Sequence, residues 1–524
     1  MISRTAIALA SAALTTIFAS SAGAETFRWS ATTDPQTMDP HAANLAPVTS
    51  FLNNIYEGLV RRGPDMKIEP SLATSWELLE GEDGWRFTLR QGVKFHDGAD
   101  FTADDVLFSY ERGTSEQSDV RSWFAPVAEV RVVDDYTVDF VTKAPNPLFP
   151  ESIANWMIMD RGWAEANNAV TPAKDAETFA TLNANGTGPF KLNEREPDVR
   201  TSLTVNEGWW DEPQHNVTEA VFTPIGSAAT ALAALVSGEI DMLQTVPVQD
   251  VERLRTIDGI RTFEGLETRV IMLGFAHDHD ALYGSLETED VNPFQDVRVR
   301  QAVAHAVNVE AIDTILMSGM AEPASQLLPE GLSGYSQAHD ERPAYDEAQA
   351  SALLAEAGYA DGFSFSLRCT NDRYINDEAV CQAITGMLQR AGLNAQLETI
   401  PVRNYWTELR EDRFDMYLLG WSPGTFDAEH PIRFLVHTPS DSLGTWNFGG
   451  FSSARVDELL PAVQSELEPA KRQAMLDEIA GIIQDEMVYV PMYVEPLAWA
   501  ARDNVELVQR PDNFFMLRWV NVGQ

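Results

Sequence analysis

Strands and helices alternate along residues 363–419, and this alternation constrains the fold more than any other feature of the chain. Segments typical of strands lie around 363–368, 395–400 and 414–419, separated by helical patterns at 377–391 and 404–410. Such a succession is typical of an α/β layer, in which helices cover a largely parallel sheet. We therefore predict an α/β fold.

The first 24 residues have the features of a secretion signal. Arg4 precedes a stretch rich in Ala and Ser, and Ala22-Gly23-Ala24 supplies the small-x-small pattern that signal peptidase recognises. The stretch is short for a membrane span, although an N-terminal anchor is the alternative. We expect residues 1–24 to be a cleaved signal peptide and the mature protein to be periplasmic.

Charge and cysteine content narrow the class of protein. The formal net charge of −42 disfavours nucleic acid and anionic membrane surfaces as partners. Two cysteines close in sequence, Cys369 and Cys381, predict a disulfide in an oxidising compartment, with two buried free thiols as the alternative. The length of 524 residues fits about three domains.

Motifs for catalysis or metal binding are weak. The chain has neither HExxH nor GxSxG, and its paired acids lie at helix starts and turns. His277-Asp278-His279-Asp280 could place two histidines on one strand face, but a zinc site needs more ligands and a solvated loop is the commoner explanation. We predict no metal, no cofactor and no catalytic residues; a secreted hydrolase is the alternative from another class.

Several short motifs follow one another in an order that resembles the bacterial extracellular solute-binding protein family 5, the oligopeptide-, dipeptide- and nickel-binding group of ABC importers. The motifs extend through essentially the whole mature chain. They are Met38-Asp39-Pro40-His41, Tyr56-Glu57-Gly58-Leu59, the segment Pro70–Trp76, the block Phe87–Asp105, Gly186–Phe190, Ala234–Met242 and Asp296–Ala306.

The resemblance implies a two-lobed periplasmic binding protein of type II, similar to cluster C, with an accessory third domain inserted in the first lobe. Lobe I would comprise residues 25–60, 186–288 and 493–524, the accessory domain 61–185, and lobe II 289–492. Such proteins close around a ligand by bending at a hinge. The chain would act as a monomer that captures a peptide or amino-acid-derived solute and delivers it to an inner-membrane ABC permease. An opine, an oligosaccharide or a metal chelate is the alternative ligand.

The loop GWSPGTFDAEHP, residues 420–431, is expected to line the ligand site. Peptide-binding relatives carry an acid three residues after the tryptophan that corresponds to Trp421, and this acid neutralises the peptide amino group. Gly424 occupies that position here. Either Asp427 reaches in from a rearranged loop, or the ligand lacks the usual free amine at that spot.

The resemblance also indicates other candidate ligand residues. Arg373 lies in a strand-to-helix loop where dipeptide-binding relatives grip the peptide carboxylate, with pairing to Asp372 or Asp377 on the surface as the alternative. Asn44 occupies a first-lobe contact position. Aromatic residues that could line the cleft, although such residues at helical spacing are more often core, are Tyr405, Trp406, Trp421 and Trp446.

Overall fold

The computed structural model describes residues 26–81, 83–173, 176–283 and 291–523. The predicted signal peptide and the predicted boundary near residue 288 lie outside these ranges. No helix within them is long and apolar enough to cross a membrane.

Strands from distant parts of the chain form the framework of the fold. In chain order they are β1 (Thr26–Ser30), β2 (Val60–Arg62), β3 (Ile68–Pro70), β4 (Ala73–Leu78), β5 (Gly84–Leu89), β6 (Val127–Asp134), β7 (Thr137–Thr142), β8 (Phe190–Glu196), β9 (Arg200–Val205), β10 (Glu219–Phe222), β11 (Met242–Leu243), β12 (Ile260–Phe275), β13 (Glu322–Pro323), β14 (Phe363–Thr370), β15 (Leu393–Ile400), β16 (Met416–Trp421), β17 (Tyr489–Arg502), β18 (Val505–Glu506) and β19 (Asn521–Val522).

Helices connect and cover these strands. They are α1 (Ala46–Leu52), α2 (Ala103–Gly113), α3 (Phe149–Ser152), α4 (Arg161–Ala166), α5 (Phe179–Leu182), α6 (Ala228–Ser237), α7 (Val248–Arg255), α8 (Val297–Ala306), α9 (Val309–Leu316), α10 (Glu347–Glu356), α11 (Asp377–Arg390), α12 (Val402–Arg410), α13 (Glu429–Pro431), α14 (Ala454–Ser465) and α15 (Pro469–Asp485). A π-helical turn at Ile432–Val436 continues α13, and short 3-10 turns cover Arg121–Phe124, Pro293–Gln295, Gln337–His339 and Leu517–Trp519.

The main sheet of the described residues has the order β15-β14-β16-β12-β17-β11-β1-β10-β9-β8, with β13 added beside β17. Each half of the path contains parallel pairs, namely β14 with β15 and β16 in one half and β1 with β10 and β11 in the other, while β10, β9 and β8 end the path as antiparallel strands. The long strands β12 and β17 are antiparallel and join the two halves. The α/β prediction is therefore confirmed.

Helices cover both faces of the β14–β16 half of the sheet. On β12, Ile271 and Leu273 belong to one apolar core while Val270 and Met272 belong to the other. This alternation follows from the two-residue period of a strand. The half-sheet is therefore buried on both sides, as the continuous apolar run Met416–Leu419 indicates.

A second sheet, β4-β5-β7-β6, lies within the segment predicted as the accessory domain. It is antiparallel and has an apolar core of its own, which includes Phe87, Phe140 and Trp156. The predicted boundaries of the lobes and of this domain remain predictions.

Strand β17 continues through two prolines, Pro491 and Pro496. Proline lacks the N–H that a central strand needs and occurs there mainly at bulges. Pro491 and Pro496 flank the two register shifts between β17 and β12, so both are accommodated without ending the strand.

Candidate ligand-binding cleft

The pairing of β12 with β17 contains a bulge where the two halves of the main sheet meet. The register shifts between Leu266 and Val270, so the three residues between them lie opposite Glu495 alone. Bulges redirect side chains and are frequent beside functional sites. This bulge places Glu267 and Arg269 on the wall of a cavity.

Arg269 holds an ion cluster together at the bulge. Its Nη1 donates a hydrogen bond to Oε2 of Glu495 at 2.7 Å and lies 2.6 Å from Oε2 of Glu267. The other carboxylate oxygen of Glu495 accepts the Ile375 N–H at 2.7 Å. Burial raises the pKa of Glu267 to about 7; Arg269 opposes this shift and Glu495 adds to it.

Two neighbouring chambers form the cleft. The inner chamber, about 350 Å³, contains the bulge. The outer chamber, about 620 Å³, lies against the accessory segment, and Asn155 and Gly424 line both chambers. Other residues of the inner wall include Trp29, Phe51, Gln244, Asp512 and Phe515, and those of the outer wall include Asn44, Lys143, Glu151, Glu429, His430 and Arg433.

Gly420, near the end of β16, leaves room for the side chains of Tyr374 and Arg269. A Cβ atom there would lie 2.5 Å from Cε1 of Tyr374 and 2.9 Å from Cδ of Arg269. The Tyr374 hydroxyl donates to the Gly420 carbonyl at 3.4 Å, and the guanidinium carbon of Arg373 lies 5.6 Å from the centre of the Tyr374 ring. Arg373 therefore lies beside the ion cluster.

Neither neighbouring acid pairs with the Arg373 side chain. Asp372 accepts the N–H of Val402 at the start of α12, and Asp377 accepts the hydroxyl of Thr370 and the backbone N–H of Arg373. The Arg373 side chain is exposed, and no ion pair to it occurs among the described residues. The predicted disulfide between β14 and α11 is confirmed, with a Cα–Cα distance of 6.6 Å between Cys369 and Cys381.

The loop that follows β16 contacts the opposite side of the cleft through Arg62. The guanidinium carbon of Arg62 lies 4.3 Å from the centre of the Phe426 ring, and its Nη2 donates to the Thr425 carbonyl at 3.4 Å. Phe426 has φ of 58°, in the left-handed region that costs a bulky residue free energy. Gly424, which contributes no side chain, lies at the junction of the chambers.

Asp427 supports this loop from behind. Its two oxygens accept hydrogen bonds from Arg472 of α15 at 2.7 and 2.8 Å, and Oδ2 also accepts the Ser333 hydroxyl at 2.6 Å. The Asp427 residue is 1% exposed. Its carboxylate is therefore engaged inside the body of the protein, which differs from the expectation that it reaches into the cleft.

Tyr405 is a core residue, contrary to its expected place on the cleft wall. It is fully buried, and its hydroxyl lies 2.7 Å from the Leu418 carbonyl and 3.1 Å from the Arg368 carbonyl. The amphipathic helix α12 turns Tyr405 and Leu409 towards the sheet, because residues four apart share a helix face.

Trp406, Trp421 and Trp446 belong to one half-buried aromatic cluster. The Trp421 ring centre lies 5.6 Å from that of Trp446, which lies 5.1 Å from that of Trp406. Trp421 Nε1 donates to Nδ1 of His430 at 3.1 Å, and His430 lines the outer chamber. The cluster thus adjoins the cleft, while the predicted contacts of these tryptophans with a ligand remain predictions.

Asn44 is exposed and lines the outer chamber. Its backbone N–H donates to Oδ2 of Asp119 at 3.0 Å, which holds the residue at the wall. His277, from the weak metal motif, instead has its Nε2 3.0 Å from the Val488 carbonyl. Within the described ranges, no group of three or more His, Cys, Asp or Glu side chains could hold a metal ion.

The sequence profile of the bacterial extracellular solute-binding proteins, family 5 Middle, matches residues 67–442. The chain belongs to this family. This chain is 26% identical over 478 residues to the glutathione-binding protein GsiB of Salmonella paratyphi A, and the alignment covers 90% of this chain and 89% of GsiB.

Two solved structures share the fold of this family 5 protein. The substrate-binding protein CtaP of Listeria monocytogenes has a TM-score of 0.83 at 21% identity, covering 96% of this chain and 100% of CtaP. The PBP AgaA of A. tumefaciens R10, in complex with agropinic acid, has a TM-score of 0.74 at 22% identity, covering 95% and 99% of the respective chains.

The sequence reasoning missed the charged bulge of this family 5 protein. Glu267 and Arg269 lie in the three residues before the apolar run Val270–Leu273, and Glu495 interrupts the apolar segment around Val494 and Leu497. A charged residue inside a buried strand needs a partner. That rule, applied to Glu495, is the signal that could have found the site.

Proposed function

We propose that this protein is the periplasmic solute-binding subunit of an ABC importer and that its ligand is a peptide or an amino-acid-derived compound. The proposed lobes close on the ligand by bending where β12 and β17 join them. The closed, monomeric form then delivers the ligand to an inner-membrane permease without covalent chemistry.

The two-chamber cleft carries this proposal. It lies at the junction of the half-sheets, and its inner wall contains the Glu267–Arg269 bulge. Acidic and basic groups in one cleft suit a solute with both charges, because charge-assisted hydrogen bonds are stronger than neutral ones. Similarity to GsiB over 90% of this chain supports glutathione as the first ligand to test.

A non-peptide ligand such as an opine is the second candidate. It is favoured by Gly424 at the position where an acid is expected and by the engagement of Asp427 with Arg472. The fold similarity to AgaA, solved with agropinic acid, is consistent with that class. An oligosaccharide and a metal chelate are the remaining alternative ligands. A secreted hydrolase is the alternative from another class of protein.

The test uses the mature chain from residue 25, unfolded and refolded to remove any ligand bound during expression. Thermal-shift and calorimetric titrations then compare glutathione, pooled di- and tripeptides, agropinic acid, an oligosaccharide and a nickel chelate. A ligand at 100 times its Kd stabilises the folded state by about 2.7 kcal/mol, which gives a measurable rise in Tm.

A rise with glutathione or the peptides would support the proposal. A response to the sugar or the chelate alone would contradict the peptide assignment. Formation of a product without any shift in Tm would favour the hydrolase.

A further inference from the structure

Four carboxylate residues line the two chambers among the described residues, and three of them accept a hydrogen bond from another side chain. Arg62 pairs with Glu151 at 3.0 Å, and Gln464 donates to Glu429 at 2.6 Å. Asp512 accepts Nε of Arg510 at 3.0 Å. The fourth carboxylate belongs to Glu267.

Glu267 is half-buried, and its buried oxygen Oε2 lacks a hydrogen bond from the described residues. Its Oε2 lies close to Nη1 of Arg269, but that nitrogen directs its hydrogen bond to Glu495. One guanidinium therefore serves two carboxylates. Because a buried carboxylate without full hydrogen bonding is unfavourable, the cluster lacks one cationic donor.

The charges around Glu267 come from every element packed against the bulge. Arg269 is on the same strand, Glu495 is on β17, Asp512 is in the C-terminal segment, and Arg373 lies beyond the Tyr374 ring. Arg373 is exposed and has no ion pair with Glu267 within the described ranges. It therefore remains accessible to an anionic group of a ligand.

We propose that Glu267 binds the ammonium group of an α-amino-acid-type ligand at the hinge bulge. An ammonium offers three N–H donors and a full positive charge, which matches the missing partner of Glu267. The site would thus replace the acid that position 424 lacks. This inference rests on the proposed function, since it assumes a peptide or amino-acid-derived ligand.

The test compares matched probes that differ only at the amino group: glutathione with N-acetylglutathione, and Ala-Ala with N-acetyl-Ala-Ala. Isothermal titration calorimetry measures the ratio of the two Kd values for the wild-type protein and for Glu267→Gln. The wild-type protein should bind the free amine at least tenfold more tightly. Glu267→Gln should bring the ratio near one while binding of the acetylated probe changes little.

Glu264→Gln is the matched control, because Glu264 is exposed on the same strand and pairs with Arg255 outside the cleft. It should leave the ratio unchanged. Glu267→Asp keeps the charge and should retain part of the preference, which provides a second variant if Glu267→Gln does not fold.

A Glu267→Gln protein that keeps the wild-type ratio would overturn the inference alone. So would a wild-type protein that binds both members of a pair equally. If the wild-type protein binds neither member of either pair, both the inference and the proposed function are contradicted.

Discussion

The buried ion pair behind the cleft loop gives the sharpest stability prediction. Asp427→Asn removes the carboxylate opposite Arg472, whose side chain is 9% exposed. The guanidinium would keep its bond from Nε to the Val463 carbonyl, 3.1 Å away, but would lack a counter-charge. Loss of one partner of such a pair costs about 3–5 kcal/mol of the free energy of unfolding.

Urea denaturation followed by circular dichroism measures this loss. The double variant Asp427→Asn/Arg472→Met should recover part of it, because it no longer contains an isolated buried charge. Arg455→Met is the matched control: Arg455 forms a two-bonded pair with Glu478 of the same helix α15, but both side chains are 45% exposed.

The control should cause little or no change, because solvent screens exposed pairs. If Asp427→Asn destabilises the protein no more than Arg455→Met does, the pair does not support the loop and the reasoning is wrong. If the double variant is as unstable as Asp427→Asn, the loss arises from packing around the loop and not from the unpaired guanidinium.

Three further results are expected. Burial raises the pKa of Glu267 to about 7, and only the ionised carboxylate attracts an ammonium. The affinity for glutathione, measured by calorimetry, should therefore fall about tenfold from pH 8 to pH 6. An affinity that does not change with pH would contradict this prediction. Arg373→Gln should weaken the binding of a carboxylate-bearing probe about tenfold relative to that of its amide. Arg403, which is also exposed in this half of the protein, provides the control, and Arg403→Gln should not have this effect. Equal effects of the two substitutions would exclude Arg373 from the site. Replacing Cys369 and Cys381 by serine should lower the free energy of unfolding by about 2–4 kcal/mol in urea, and an unchanged midpoint would show that the bridge is dispensable.

Local patterns predicted much of the fold. The segments 377–391 and 404–410 have helical patterns and correspond to α11 and α12. The disulfide could be predicted from the sequence because both cysteines lie near one strand-to-helix junction. These features depend on residues that are close in sequence.

The detailed site could not be predicted in the same way. Asp427 looks like a free acid in a loop, but its partner Arg472 follows 45 residues later. The bulge on β12 depends on a register with β17, more than 200 residues away, which local periodicity does not specify. Long-range pairing therefore determines which carboxylate in the cleft is left to bind a ligand.

The bulge lies on the hinge axis about which the two proposed lobes rotate. A group on that axis moves least during rotation, so a ligand ammonium bound there can remain in place while the outer chamber is still open. Capture and enclosure then become separate kinetic events. Substitutions in the charged bulge should change the association rate of the ligand through electrostatic attraction. Substitutions at the Arg62–Phe426 contact should instead change the residence time of the ligand.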